Sequence, residues 1–594
     1  MRKILVSFVA LLFSAGITAE TVLIDGLYYS LSSTTAQVAK DPVSGLPTYS
    51  TYTSVTIPAS VTYNNYTYPV TSLGTSAFEG CTNLQAVTLP NTITTINTDA
   101  FYGCVKLGDI NLPEGLTTIY QRAFYNCNLD TITIPSTVTS IGSSAFKSNP
   151  VKAVTWLPAN CSISTDDSAP FYSTSSQITS FVFGDSVTTI PAYLCKNMSK
   201  LDTIVLPPSV KLLGQNAFMY CTSLKSINLP VTQKTLPVSF LEGCTALETI
   251  ELPATLTTIS TDVFYGCTSL KHVTLHEGIT TIGTRAFYNC KLDTITIPST
   301  VTSIGSGAFK SNPTKAVTWL PANCSISTDD SAPFYSTSSQ ITSFVFGDSV
   351  KTIPGYLCKN MNKLDSIVIP PSVTSIGQQA FMYCTKIKRL DFPKGIKSLA
   401  TSILEGCTAL EEVIIPASVT TINQDAFYNC SKLMAIHNYA IAPQSIPARA
   451  LYNVNKQTCI LYVPIDCINL YQAAEVWRDF TNIIGVATDL QFEDQIVNVT
   501  YLKPDSTLHY MESQTCAVPH EPYIEGFAFV GWRVLPGMLE DGIVLQGVYE
   551  AQQGTNAPEV YINPANPTQK LLREGNVYIL RDDKVYTIQG QQVK

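Results

Sequence analysis

The sequence predicts a solenoid, α/β or mainly β, built on parallel sheet and followed by a small β-rich domain. Three observations predict it. The first is a recurring phrase, A-F-x-x-C-x-x-L-x-x-I-x-L-P-x-x-(V/I)-T-x-I, seen at Ala77, Phe78, Cys81, Leu84, Val87, Leu89, Pro90, Ile93 and Ile96. It returns at Ala100-Phe101 with Cys104, at Ala123-Phe124 with Cys127, and as far as Ala426-Phe427 with Cys430. A spacing of about 23 residues is that of a repeat unit too small to bury its apolar side alone; stacked units can. The second is a longer period. Phe78, Phe101, Phe124, Phe146, Phe171, Leu194 and Phe218 recur 163 residues later as Leu241, Phe264, Phe287, Phe309, Phe334, Leu357 and Phe381. Residues 122–187 and 285–350 differ at only three places, Asn128/Lys291, Ser144/Gly307 and Val151/Thr314, so a block of seven coils reads as a duplication. The third is strand alternation inside each unit: Leu129, Ile132 and Ile134 point inward while Thr131 and Thr133 point out.

Taken in order, residues 1–19 read as a secretory signal. Arg2 and Lys3 form a charged end, Ile4 to Phe13 is an apolar run, and Ala19 offers a small residue for cleavage. That run is too short for an ordinary transmembrane helix, and no other segment is long and apolar enough to span. Residues 20–70 carry the strand half of the unit without its Ala-Phe half and read as an N-terminal cap, which a solenoid needs to cover its first apolar face. Coils fill 71–455. In each, Pro (Pro135, for example) ends the strand because it has no N–H for the ladder. The V-T-x-I stretch is a second extended piece, and Ala-Phe-x-x-Cys is a compact turn or a one-turn helix that drives Phe inward. Residues 456–486 form a C-terminal cap, with a strand at Cys459–Pro464 and helical spacing from Tyr471 to Trp477. Residues 487–551 read as a small β module with strands at 496–501, 526–532 and 543–549. Residues 552–594 are a linker and tail, with a hairpin turned at Asp582-Asp583.

Composition narrows the function classes. Net charge is -8 and only 13% of residues are charged, with no Lys/Arg cluster, which argues against nucleic acid or an anionic membrane as partner. Seventeen cysteines in an exported chain suggest disulfides. Most, however, sit three residues after the recurring Phe or Leu that anchors each coil, where parallel Cβ vectors suit buried thiols better than bridges. Cys459 and Cys467 break this phase, and pairing between them stays open.

Reaction chemistry is sparse. His272, His276, His437, His509 and His520 fall in no metal-ligand spacing. There is no G-x-S-x-G, H-E-x-x-H or phosphate-cradling glycine loop, so no catalytic, cofactor or metal residues are assigned. Asp166-Asp167-Ser168 and its copy Asp329-Asp330-Ser331 could ligate a hard cation, but two carboxylates fall short of the six or more oxygens Ca²⁺ takes, and loop capping is favoured. Trp156 and Trp319, at strand ends, are expected to pack inward. The candidate ligand-binding face is the outward strand row: Asp109, Asn111, Thr131, Thr133, Ser226, Asn228, Thr249, Glu251, Thr294, Thr296, Arg389 and Asp391. It reads either as a solvated sheet face rich in strand formers or as an extended recognition surface.

The coil phrase resembles the BspA-type leucine-rich repeat of bacterial surface proteins over most of residues 50–486. Leu461-Tyr462-Val463-Pro464 and Trp477-x-x-Phe480 resemble the end of that family as found in Bacteroidetes-type bacteria. The resemblance implies a right-handed leucine-rich-repeat superhelix and an adhesin-like surface protein that binds host or bacterial proteins, with no catalytic residues to carry over. Residues 487–551 resemble the Listeria–Bacteroides type of small repeat domain through Pro519, Gly526-Phe527-x-Phe529-x-Gly531-Trp532 and Val548-Tyr549. The end of the chain, with Gly575 to Ile579 and Gly590 to Lys594, resembles part of a type IX secretion sorting tail. The expectation is a non-enzymatic protein, at the cell surface (outer-membrane association included) or secreted, that binds an extracellular or host matrix protein. A glycan-binding accessory in carbohydrate capture and a structural spacer are the alternatives.

Overall fold

The computed structural model describes residues 20–40, 49–165 and 168–486, and beyond them only the backbone of strands between 497 and 593. The expected signal segment, the Asp166-Asp167 pair, and the Pro519, Gly526, Gly575 and Gly590 positions lie outside the described residues. The chain divides into two compact units, Met1–Ile341 and Thr342–Lys594. Each contains a parallel-sheet solenoid in which successive coils pair in register.

In the N-terminal unit the cap begins as an antiparallel meander. Glu20–Ile24 pairs with Leu27–Leu31, and that with Ala36–Ala39. The sheet then turns parallel through Tyr66–Leu73, Thr95–Ile96, Thr118–Ile119, Ser140–Ile141 and Ser162–Ile163. This row is the V-T-x-I half of the phrase. The I-x-L-P half makes a second row, for example Thr131–Ile134 with Ala153–Trp156 and Ser180–Phe183. Burial in Thr131–Ile134 alternates exposed and buried, as the sequence alternation requires. Trp156 and Trp319 are fully buried at their strand ends.

The Ala-Phe-x-x-Cys segment is a turn, and helix is absent from it. In most coils two residues take left-handed backbone, two before and two after the anchor: Ser76 (φ 56) and Gly80 (φ 70) around Phe78, Arg122 (φ 53) and Asn126 (φ 54) around Phe124. This breaks any helical path, because an α-helix needs an unbroken right-handed run. It also sends alternate N–H groups to the next coil. The amides of Ser76, Phe78 and Gly80 donate to the carbonyls of Thr98, Ala100 and Tyr102 at 3.0, 2.8 and 2.7 Å. At one such position Ser144 (φ 56) is replaced in the duplicate by Gly307 (φ 57), which meets the conformation without a Cβ penalty.

Three side-chain rails run between coils. Phe78, Phe101, Phe124, Phe146 and Phe171 stack face to face with centroids 5.2–5.3 Å apart. After Cys81, each in-phase thiol donates to the anchor carbonyl of the preceding coil, as in Cys104 to Phe78 (3.1 Å) and Cys127 to Phe101 (3.2 Å). Hydroxyls of the V-T-x-I stretch likewise donate to the backbone of the preceding coil, as in Thr117 to the Thr94 carbonyl (3.0 Å) and Ser162 to the Thr139 carbonyl (3.2 Å). Where Cys is missing the rail continues: Asn149, buried, donates to the Phe124 carbonyl at 2.7 Å and accepts from the Leu129 amide at 3.1 Å. One sequence reading needs correction here. Leu194 and Leu357 are not the anchors of their coils. Cys195 takes the anchor place, its amide donating to the Ala217 carbonyl (2.9 Å), and Met198 stands where the thiol usually is. In the C-terminal unit Cys358 and Met361 repeat this, with the Cys358 amide on Ala380 at 2.9 Å. The phrase A-F-x-x-C maps onto L-C-K-N-M, so a small thiol fills a phenyl site and thioether bulk fills the thiol site beside it.

The C-terminal unit continues the pattern to a five-stranded parallel sheet: Arg389–Asp391, Glu412–Ile415, Ala435–Asn438, Ile460–Pro464 and Asn482–Val486. The helix between the last two strands spans Ile468–Ala473, earlier and shorter than its spacing predicts. Ala474 turns extended and Val476 has φ 70, so Trp477 leaves the helix path. Its indole donates to the Gln444 carbonyl at 2.8 Å and closes the end of the core. Beyond it, a four-stranded sheet runs in the order Leu508–Gln514, Val497–Leu502, Gly542–Ala551, Phe527–Leu535. Leu508–Gln514 has no β-branched run and was not expected. The tail strands Asn576–Arg581 and Lys584–Thr587 pair antiparallel, where the hairpin was expected.

All sixteen described cysteines, Cys459 and Cys467 included, are buried and free. Burial raises the Cys81 thiol to about 11 and the Cys127 thiol to about 12. In native protein the thiols should therefore resist Ellman's reagent at pH 8, and unreduced protein in guanidinium should release at least the sixteen described; a near-zero count would mean disulfides. A folded pKa above the unfolded value of about 8.5 keeps its full stabilisation below that pH. The unfolding free energy from urea melts should thus stay level to about pH 8.5 and then fall, by up to about 1.4 kcal/mol per pH unit for each titrating thiol. Phe124→Ala, which opens the phenyl stack, should lower unfolding free energy by about 3–5 kcal/mol in a urea melt.

Candidate functional site

In the N-terminal unit, the outward row of the I-x-L-P strands is an ordered, mostly polar surface. Thr131 and Thr133 are exposed and lie opposite Ala153 and Thr155 in register. Their duplicates Thr294 and Thr296 are exposed and lie opposite Ala316 and Thr318. Ser226 sits in register with Thr203, and Thr249 with His272, all with exposed side chains. Asn111 and Glu251 are exposed just beyond their strands. Asp109 lies in the strand paired to Ala86–Thr88, but its side chain is outside the described residues.

Two groups of candidates have partners within the fold. The Asn228 carboxamide accepts from the Leu206 amide and donates to the Leu206 carbonyl, both at 2.8 Å. It extends the backbone ladder where the neighbouring strand leaves that residue unpaired. In the C-terminal unit, Arg389 and Asp391 stand at the positions duplicated from Ser226 and Asn228. Arg389 is clamped to Asp391 at 2.9 Å and to Glu412 at 2.9 Å, and both Arg389 and Asp391 are half-buried. The structure thus brings together a row of short hydroxyls in one unit and an ion-pair cluster in the other.

Sequence reasoning passed over the apolar part of the face. Val182 and Val205 occupy outward positions, 53% and 72% exposed. They flank a groove of about 560 Å³ that Asp185, Pro207 and Asn228 also line. In the C-terminal unit their duplicates Val345 and Val368 are 54% and 80% exposed. The signal was available, since S-F-V-F and T-I-V-L place Val where the phrase elsewhere has Thr. It was masked because Val at a strand position reads as ordinary strand propensity.

The histidines do not converge. His272 is exposed on the sheet row, and the ring nitrogens of His276 lie 2.8 Å from the carbonyls of Glu277 and Pro253. His437 belongs to the C-terminal cluster, with Nε2 3.0 Å from Glu412. Among the described residues no group of three or more His, Cys, Asp or Glu is arranged to hold a metal ion, and no helix is long and apolar enough to cross a membrane. Asp329 opens a short 3₁₀ turn whose backbone closes on the Ala332 amide at 2.9 Å.

A BspA type leucine rich repeat region model matches residues 71–201, 188–315 and 328–458. No curated protein matches the sequence. Similar solved structures include a leucine-rich repeat protein from Bacteroides ovatus (23% identity, 74% of this chain and 99% of that one, TM-score 0.44). A leucine rich cell surface protein from Faecalibacterium prausnitzii is 21% identical over 70% of this chain and 94% of its own, with TM-score 0.29. The pneumococcal vaccine antigen PcpA is 16% identical over 79% and 99%, with TM-score 0.27. With more than half of its length matched to that repeat, the chain belongs to the BspA type leucine rich repeat family.

Proposed function

We propose that this chain is a non-enzymatic, exported surface protein that binds protein partners, in an adhesin-like way, through its repeat face. The observation that carries the reading is duplication of an exposed surface. Thr131, Thr133 and the strands beside them reappear as Thr294, Thr296 and their neighbours in the same unit, with the same register and exposure. Seven coils at about 4.8 Å each set the copies on the order of 34 Å apart. A partner with repeated or extended structure gains avidity from two such copies, whereas a reaction centre gains nothing from adjacent repetition. Tyr, Trp and Arg anchors are few on this face, so affinity per contact is modest and repetition supplies strength. Export rests on the charged and apolar start of the sequence, with cleavage near Glu20 as its consequence. A glycan accessory keeps a place as second reading, because rows of hydroxyls can hydrogen-bond sugars.

Full-length protein on a sensor surface should bind solubilised extracellular matrix proteins in a dose-dependent way and leave a glycan array unlabelled. Labelling of the array with no protein binding would exchange the two readings; neither signal would favour a spacer. Thr133→Arg alone should weaken protein binding only a few-fold, since its copy remains. Thr133→Arg with Thr296→Arg should weaken it by roughly tenfold or more if avidity links the copies. Intact-mass analysis of protein exported by the native cell should show a chain starting near Glu20.

A further inference from the structure

The last coils of the C-terminal unit break the rule of the sheet face. Thr131–Ile134 alternates exposed and buried, whereas Glu412–Ile415 is buried at all four positions. A strand buried on both faces has something packed on each. The inner face is the core row of Val413, Ile436 and Leu461. On the outer face Ile414 lies opposite His437, His437 opposite Tyr462, and Tyr462 opposite Ile484. Ile414, His437 and Tyr462 are only 8%, 9% and 6% exposed, and Glu412 beside them 8%. The outward row thus changes from short hydroxyls to an apolar and aromatic strip. His437 stacks on Tyr462 with centroids 4.4 Å apart, and the Arg389–Asp391 and Arg389–Glu412 ion pairs border the strip. His437 Nδ1 and the Tyr439 hydroxyl are buried with no hydrogen-bond partner.

The same strip leads into Asn482–Val486, the last strand of the solenoid sheet. Phe527–Leu535, the edge strand of the following four-stranded sheet, lies against it. From the Ile484 row back to the Ile414 row is three strand spacings, about 14 Å. The connection 487–496 can span up to about 35 Å when extended, so the sheet can reach the whole strip.

We propose that the four-stranded sheet of strands Val497–Leu502, Leu508–Gln514, Phe527–Leu535 and Gly542–Ala551 docks on the outer face of the last coils as an intramolecular partner. Ile414, His437, Tyr462 and Ile484 form the apolar centre of that interface, and Arg389, Asp391 and Glu412 its polar rim. Arg389 and Asp391 then belong to this internal contact, and the face left for an outside partner lies on earlier coils.

The test uses the full chain with a site for a specific protease inserted in 487–496. Before cleavage, diethyl pyrocarbonate should modify His437 at least tenfold more slowly than exposed His272, read by peptide mass spectrometry. After cleavage the two fragments should co-elute at micromolar concentration. Ile414→Thr with Tyr462→Thr, which installs the residue type of the other rows, should separate them and bring His437 labelling toward that of His272; circular dichroism checks that the variant is folded, and Ile414→Thr alone is the milder substitute. Separation of the wild-type fragments, or His437 labelling as fast as His272 in the uncleaved chain, would overturn the proposal. Protection that appears only with rising concentration and doubled mass would assign the strip to a second copy instead, and would equally overturn it.

Discussion

The hydrogen bond from one coil's thiol to the preceding coil's anchor carbonyl is the constraint around which the rest of the structure is arranged. Cys104 reaches Phe78, Cys244 reaches Phe218 and, in the C-terminal unit, Cys407 reaches Phe381, each at 3.1–3.2 Å. The donor must remain a thiol for the bond to exist, so disulfide formation and metal binding would both remove it. Burial keeps the proton in place, as the raised Cys127 thiol shows. The bond also fixes coil length, because a coil longer or shorter by a residue misplaces either the phenyl ring or the sulfur. Where length does vary, the residue type changes with it. Asn149 is long enough to serve the Phe124 carbonyl and the Leu129 amide of a shorter coil together.

Duplication shows which positions the stack leaves free. Of the three differences between residues 122–187 and 285–350, Ser144/Gly307 lies at a left-handed position and Asn128/Lys291 is exposed. Val151/Thr314 is buried, and the hydroxyl of Thr314 is satisfied by the Leu292 carbonyl at 2.9 Å. Each change respects a backbone or hydrogen-bonding requirement of its site. The outward row tolerates wider change: Ser226 and Asn228 become Arg389 and Asp391, and the role of the pair moves from extending a backbone ladder to bordering a covered strip. A repeated fold therefore need not carry a repeated function at every copy. The strands that stay identical, Thr131–Ile134 and Thr294–Ile297, are the ones that carry the binding reading.

The sequence by itself determined the coil period, the inward and outward phase of each strand, and the burial of the in-phase cysteines. All three are local: apolar spacing along one coil reports which side of it faces the core. Tertiary structure alone decided what depends on the neighbouring coil. It placed Cys195 and Cys358 at the anchor, because anchor identity is set by which amide meets the next coil. It chose left-handed turns over a helical one, because alternate N–H groups must point along the stack. It gave the Asn228 side chain a backbone partner, and it buried Glu412 and His437 on a face their spacing assigns to solvent. Periodicity along a chain cannot show such pairings, since each joins residues more than twenty positions apart or covers a face with a segment from outside the repeat.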